Sequence, residues 1–225
     1  MRKEGCLSRA RRNRGWIEGR ERMIICIAGL SGSGKNSVGN LVAEKLGLRV
    51  VNPTFKTLAK SAKMDLLDFH RKAEKEHKID TDFDARLIAD ASKGGCVVTT
   101  WLGPWMIKNA DIRVWLYAPS SARAKRVAGR DGMPLADAAR HIEERDESNR
   151  ARYLEIYKID IYDHSGFDLV INSERFMPGQ SSAIIAQAAI EKCGMPQEPG
   201  AAKKAACAAK RDAAAKGKAK KGRKK

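Results

Sequence analysis

The residues that most constrain what this chain can fold into are Gly29-Leu30-Ser31-Gly32-Ser33-Gly34-Lys35-Asn36-Ser37. An apolar run, Met23-Ile24-Ile25-Cys26-Ile27-Ala28, precedes them and reads as a buried strand. Val38 to Leu46 follows, with apolar residues at helical spacing. Strand, glycine-rich loop and helix together make a phosphate-binding P-loop unit. The glycines let the backbone curl until successive N–H groups point at one anion, and the helix adds its positive N-terminal end. Lys35 can reach the outer phosphates as a point charge. The general pattern places Ser or Thr directly after the lysine, to touch magnesium. Here Asn36 holds that place and the hydroxyl comes one residue later, at Ser37.

A chain of 225 residues fits one domain with extensions. Its formal net charge of +17 sits at the ends: residues 1–22 carry +5 and residues 201–225 carry +10. The expected domain, residues 23–193, is therefore close to neutral. Residues 1–22 are rich in Arg and Gly without periodicity; either they form a basic arm or translation begins at Met23. Residues 194–225 are dominated by Ala, Lys and Gly, and are expected to be a disordered basic tail. The cysteines, Cys6, Cys26, Cys96, Cys193 and Cys207, show no paired spacing, which suits a reducing cytoplasm. No apolar run approaches the roughly 18 residues of a membrane span, so no membrane contact is expected.

Further strands are expected at Leu48–Val51, Cys96–Thr100, Asp111–Ala118 and Phe167–Asn172. Helices are expected over 54–63, 66–77, 80–93, from Ser120 through Arg130, over 135–158 and over 181–192, with a turn at Trp101–Met106. Strands alternating with helices imply a parallel sheet covered on both faces. In such sheets ligands sit beyond the carboxyl ends of the strands, where the P-loop, Asn52, Thr99 to Trp105 and Pro119 all fall.

A P-loop specifies a nucleotide phosphate and not a reaction. A GTPase would carry a guanine-reading Asn-Lys-x-Asp segment, which is absent, and a motor or transport ATPase would normally be larger. A helical insert after the second strand and an arginine-dense region after the fourth suit a small kinase: one grips the acceptor and the other is a lid over the donor phosphates.

From Met23 to about Ser173 the chain resembles the nucleoside monophosphate kinases, and most of all the archaeal-type cytidylate kinases. The resemblance rests on Gly29 to Lys35, on Asp65 to Ala73 with Ile79-Asp80, on Ile112 to Pro119 and on Arg123-Ala124-Lys125-Arg126-Val127. It continues in Glu144 to Ser148, Arg152-Tyr153, Tyr157 to Ile161 and Asp168 to Ile171. It implies an α/β P-loop kinase fold, a five-stranded parallel sheet flanked by helices, with a helical acceptor-binding insert and a lid. It also implies ATP-dependent phosphorylation of CMP or dCMP. ATP would lie on Gly29, Leu30, Ser31, Gly32, Ser33, Gly34, Lys35, Asn36 and Ser37. In that family the hydroxyl also stands second after the lysine, so Ser37, with water, takes the magnesium role. Arg123, Arg126 and Arg130, which share a helix face, would join Lys35 in stabilising the transferring group. Lys56, Arg145 and Arg152 would hold the acceptor.

Two positions depart from the family pattern. Lys56 stands where it has an arginine, keeping the charge without the bidentate fork. The segment Thr100 to Met106 has no arginine where the family commonly has Gly-Arg. Trp101 or Trp105 could stack on a base or simply fill the core. His70, His77, His141 and His164 are scattered, and no structural metal is expected. Two alternatives stay open: a kinase of the same fold acting on AMP, UMP or another small acceptor, and an RNA- or ribosome-associated ATP-binding protein. The second would use the 201–225 tail for non-specific, salt-sensitive RNA contact.

Overall fold

Ile24, Ile25, Cys26, Ile27 and Ala28 are each at most 2% exposed, the burial that a strand covered on both faces requires. In a computed structural model of the protein, which describes residues 15–53, 64 and 77–194, they form β1 (Ile24–Ala28). The order continues α1 (Lys35–Leu46), β2 (Arg49–Val51), α2 (His77–Ala91), β3 (Cys96–Val98), α3 (Gly103–Met106) and β4 (Ile112–Tyr117). It ends α4 (Ser120–Asp131), α5 (Leu135–Tyr157), β5 (Leu169–Asn172) and α6 (Pro178–Lys192). All of these belong to one compact unit, Ile17–Gly194. The strands lie in the order β2-β3-β1-β4-β5, and every pair is parallel. The expected five-stranded parallel sheet of a P-loop kinase is therefore present, with β1 at its centre.

Successive side chains of β1 leave on opposite faces. Ile24 and Cys26 join Val51, Leu87, Ala91, Cys96, Val98 and Ile107 in the core against α2. Ile25 and Ile27, both 0% exposed, point to the other face, where α1 and α6 pack together. Burying one such side chain stabilises the fold by about 1.5–3 kcal/mol relative to exposure. α1 seats closely on β3 because Gly39 has no side chain; a Cβ there would collide with Thr99 Cγ2. α4 and α5 pack through Ala124, Val127, Ala138 and Ile142.

The structure departs from the sequence reading in several places, among them α6, which begins at Pro178 and not at Ser181. Residues 15–22, expected to lack periodic structure, are helical and lead directly into β1. Gly94 permits this: a Cβ there would come within 2.6 Å of Glu21 O, so its absence lets the incoming backbone close on the end of α2. The Trp101–Met106 turn contains α3, with Pro104 in its first turn, where a missing N–H costs nothing. α2 is already helical at His77, the first residue described after 64, three residues before the expected Asp80. The helices expected over 54–63 and 66–76 fall outside the described residues, as does the tail beyond Gly194.

Candidate active site

β1 delivers the chain to the P-loop at the carboxyl edge of the sheet. Gly32 (φ 77°) and Gly34 (φ 90°) adopt left-handed backbone that other residues avoid. At Gly32 a Cβ would also come within 2.7 Å of Arg123 O. α1 starts at Lys35 with no side chain capping it, leaving its N-terminal dipole for a ligand. The hydroxyls of Ser31 and Ser33 are buried without a hydrogen-bond partner. A curled, dipole-bearing loop with unspent polar groups is the chemistry that a triphosphate requires.

The loop opens on a cavity of about 340 Å³ lined by Ser31, Gly32, Lys35 and Asn36 on one side. Asn52, Phe83, Asp84, Thr99, Thr100 and Trp101 line it across the strand ends, and Arg130, His141, Arg145, Asn149, Arg152 and Tyr153 line it from α4 and α5. Four of these, His141, Arg145, Asn149 and Arg152, recur every three or four residues along α5 and form one stripe.

Lys35 Nζ donates to Gly29 O at 3.2 Å and lies 5.0 Å from the centre of the Trp101 ring. Loss of hydration lowers the ammonium from its usual 10.5 to about 8. The positive charge of Arg145 adds to that drop, Asp146 opposes it, and Arg130 and Arg123 add smaller pushes. A cation held among cations, on an aromatic face, is primed to accept a polyanion. On the far wall, Tyr157 donates its hydroxyl proton to Asp84 Oδ2 at 2.5 Å. Arg152 donates to Asn149 Oδ1 at 3.0 Å and lies over the Tyr153 ring at 5.4 Å.

The structure brings together Ser31, Gly32, Lys35, Asn36, Arg130, Arg145 and Arg152. It places other expected site residues elsewhere. Arg123 is a correction: it is 7% exposed and its guanidinium is spent inside the fold. It donates to Asp146 Oδ2 at 2.5 Å, to Ser31 O at 2.9 Å and to Ala118 O at 3.2 Å. Asp146, 3% exposed, accepts from the Ser31 N–H at 3.1 Å. The ion pair thus grips both backbone polar groups of one P-loop residue, Ser31, and those bonds offset part of the cost of burying the two charges. Arg126, an exposed side chain, also reaches the P-loop. It donates to Gly32 O, Ser33 O and Ser173 at 2.6–3.3 Å, and so braces the loop from outside the cavity lining.

Arg130 faces the cavity and pairs in two bonds with Asp131. Ser37 is exposed in the first turn of α1 and is not part of the lining, where Asn36 stands instead. Lys56 lies outside the described residues. Of the two tryptophans, Trp101 lines the cavity, whereas Trp105 packs edge-on against Trp115 and Phe167 at 6.2 and 5.0 Å.

Sequence reasoning missed Asp84, Asn149 and the buried role of Asp146. Asn149 was readable as the residue one turn beyond Arg145 on the same face. Asp146, inside the charged run Glu143 to Glu147, carries no local signal of burial.

A family model described as the cytidylate kinase-like family matches residues 24–175. A protein named cytidylate kinase from Pyrococcus horikoshii is 40% identical over 174 residues, 76% of this chain and 90% of that protein. One of the same name from Pyrobaculum aerophilum is 41% identical over 154 residues, 67% of this chain and 84% of that protein. Among solved structures, a shikimate kinase from Acinetobacter baumannii has a TM-score of 0.56 at 18% identity, covering 78% of this chain and 97% of that one. That likeness speaks for the fold alone. The family match and the two relatives agree with the P-loop, the parallel sheet and the cation-lined cavity: the chain belongs to the cytidylate kinase-like family of nucleoside monophosphate kinases.

Proposed function

We propose that the protein transfers the terminal phosphoryl group of ATP to CMP or dCMP, in the cytoplasm. The observation that carries this reading is a single cavity with Lys35 and the P-loop on one side and the basic stripe of α5 on the other. Two polyanions must meet there, and phosphoryl transfer asks for their alignment and neutralisation more than for covalent help.

In this reading the P-loop N–H groups and Lys35 hold the donor phosphates. Arg130, at the end of α4, and Arg145 draw charge off the transferring group. Arg152 with Asn149, and Lys56 from the insert, hold the acceptor. Arg123 and Arg126 act through the loop that they shape. Apart from the Asp84 carboxylate, which accepts from Tyr157, the oxygen-bearing side chains at the cavity wall are hydroxyls and amides. That donor set suits magnesium arriving on the nucleotide, with Ser37 and Asn36 in the first turn of α1 contacting its water shell. The ion would supply charge neutralisation across the outer phosphates.

An acceptor screen tests the assignment. With ATP and magnesium, CMP and dCMP should yield ADP faster than AMP, UMP or GMP. Turnover of AMP with none of CMP would overturn the acceptor and leave the kinase. We further propose that the basic 201–225 segment gives the protein a separate, sequence-independent contact with RNA, on the strength of its charge alone.

A further inference from the structure

His141 lines the cavity one turn before Arg145 on the α5 stripe, and it is exposed. Its place along the helix is at the donor end. It stands about 6 Å along the axis from Arg145 and about 16 Å from Arg152. The next residue, Ile142, is buried with Ala124 and Val127 of α4, so this part of α5 is fixed on that helix. Two charged groups of α4 share the region, Arg130 and Asp131. The Arg130 guanidinium is the main cause that holds the Asp131 carboxyl below its usual range, and the charges of His141 and Arg145 reach that carboxyl too. Across the cavity stand Lys35 and, from α2, Asp84. On its own helix the imidazole has Asp137 and Arg145 four residues away and Glu144 three residues away. Arg130 is paired with Asp131, and Asp137 with Arg140. Histidine is the side chain whose charge changes between about pH 5 and 8, and an anion brought beside it favours its protonated form.

We propose that His141 is a proton-linked contact for the donor: its imidazole takes a proton from solvent as the nucleoside triphosphate binds, donates to an oxygen of the phosphate chain, and returns the proton when the nucleotide leaves. The assignment rests on the kinase reading above and adds to it a dependence on pH that the arginines of the cavity, always charged, cannot supply. Nucleotide and proton then favour each other's binding by the same factor, so the donor binds more tightly as pH falls. The acceptor, held two turns further along α5, is left outside this linkage.

The test compares the full-length protein with His141→Gln, which never carries the charge, and His141→Lys, which always does. Calorimetry with ATP and magnesium, without acceptor, is run at about pH 6 and about pH 8. Protonation of ATP and of Lys35 is common to all three proteins, so the ratio of dissociation constants at each pH isolates position 141. At about pH 6, His141→Gln should bind ATP about fivefold more weakly than the parent, the size of a favourable exposed ion pair. At about pH 8 the two should agree within about twofold, while His141→Lys binds about fivefold more tightly than the parent. Heats measured in two buffers of different ionisation enthalpy should show the parent taking up more protons than His141→Gln. Equal ratios at both pH values would overturn the proposal, because a merely structural role weakens binding alike at each. So would a pH-dependent change in CMP affinity without one in ATP affinity. A parent that binds no ATP would overturn the kinase reading; a parent that binds ATP with the pH profile of His141→Gln overturns this assignment alone.

Discussion

Lys35 spends the empty state as a charge in an unfavourable place. Its ammonium is lowered to about 8 in the folded protein, against an ordinary value of 10.5. Between those values the unfolded chain binds the proton and the folded chain does not, so stability rises with pH across that window. Below about 8 the folded protein carries the full cost of the charged side chain. Lys35→Met should therefore be more stable than the parent at pH 7, and the advantage should fade as pH rises toward 10.5. Thermal denaturation at several pH values checks this. The same substitution, or Lys35→Ala, should reduce kcat/KM by on the order of 10² to 10³, with the circular dichroism spectrum unchanged. Activity near the parent's would remove the basis for the whole assignment. Lys35 was legible in the sequence because its motif is contiguous. Arg123 was not: helical spacing put it on the same face as Arg126 and Arg130, but spacing does not say which part of a face is covered. Its partner Asp146 lies 23 positions away on another helix.

At the scale of elements, α4 and α5 do more than pack on each other, because the Arg123–Asp146 pair and Arg126 join both helices to the P-loop. Asp146→Ala leaves the Arg123 guanidinium buried without its counter-charge and the Ser31 N–H without its acceptor. The expected loss is about 3–5 kcal/mol of unfolding free energy, read from urea denaturation. Replacing both partners together, Arg123→Met with Asp146→Leu, should cost less than Asp146→Ala alone. Arg126→Met should raise KM for ATP about tenfold with little change in KM for the acceptor, because Arg126 bonds to Gly32 and Ser33 and not to the far wall. Equal changes in both constants would place Arg126 over the cavity after all. Elements were more legible than their joints. The five strands announced themselves as Val- and Ile-rich runs, and α5 was read to within a residue at its C-terminal end. The 15–22 helix was not, because its support comes from Gly94, more than seventy positions along the chain.

At the scale of the molecule, the charge belongs to the ends and the chemistry to the middle. Removing residues 195–225 should leave the melting temperature and the CMP kinase rate as they are, while reducing retention on RNA at low salt. Retention unchanged by the deletion would assign RNA contact elsewhere; a lower kinase rate would make the tail part of the enzyme. The cavity draws on residues far apart in that middle, from Ser31 to Tyr153. The grip on Ser31 gives this a consequence in time. A growing chain presents its nine-residue phosphate loop early, but Arg123 and Asp146 reach that loop only after more than ninety further residues have been made. A nascent or truncated chain ending before Asp146 carries the signature of a nucleotide-binding protein without the clamp that shapes it. Competence to hold ATP should therefore appear late in synthesis, and all at once, when α5 is complete enough to dock.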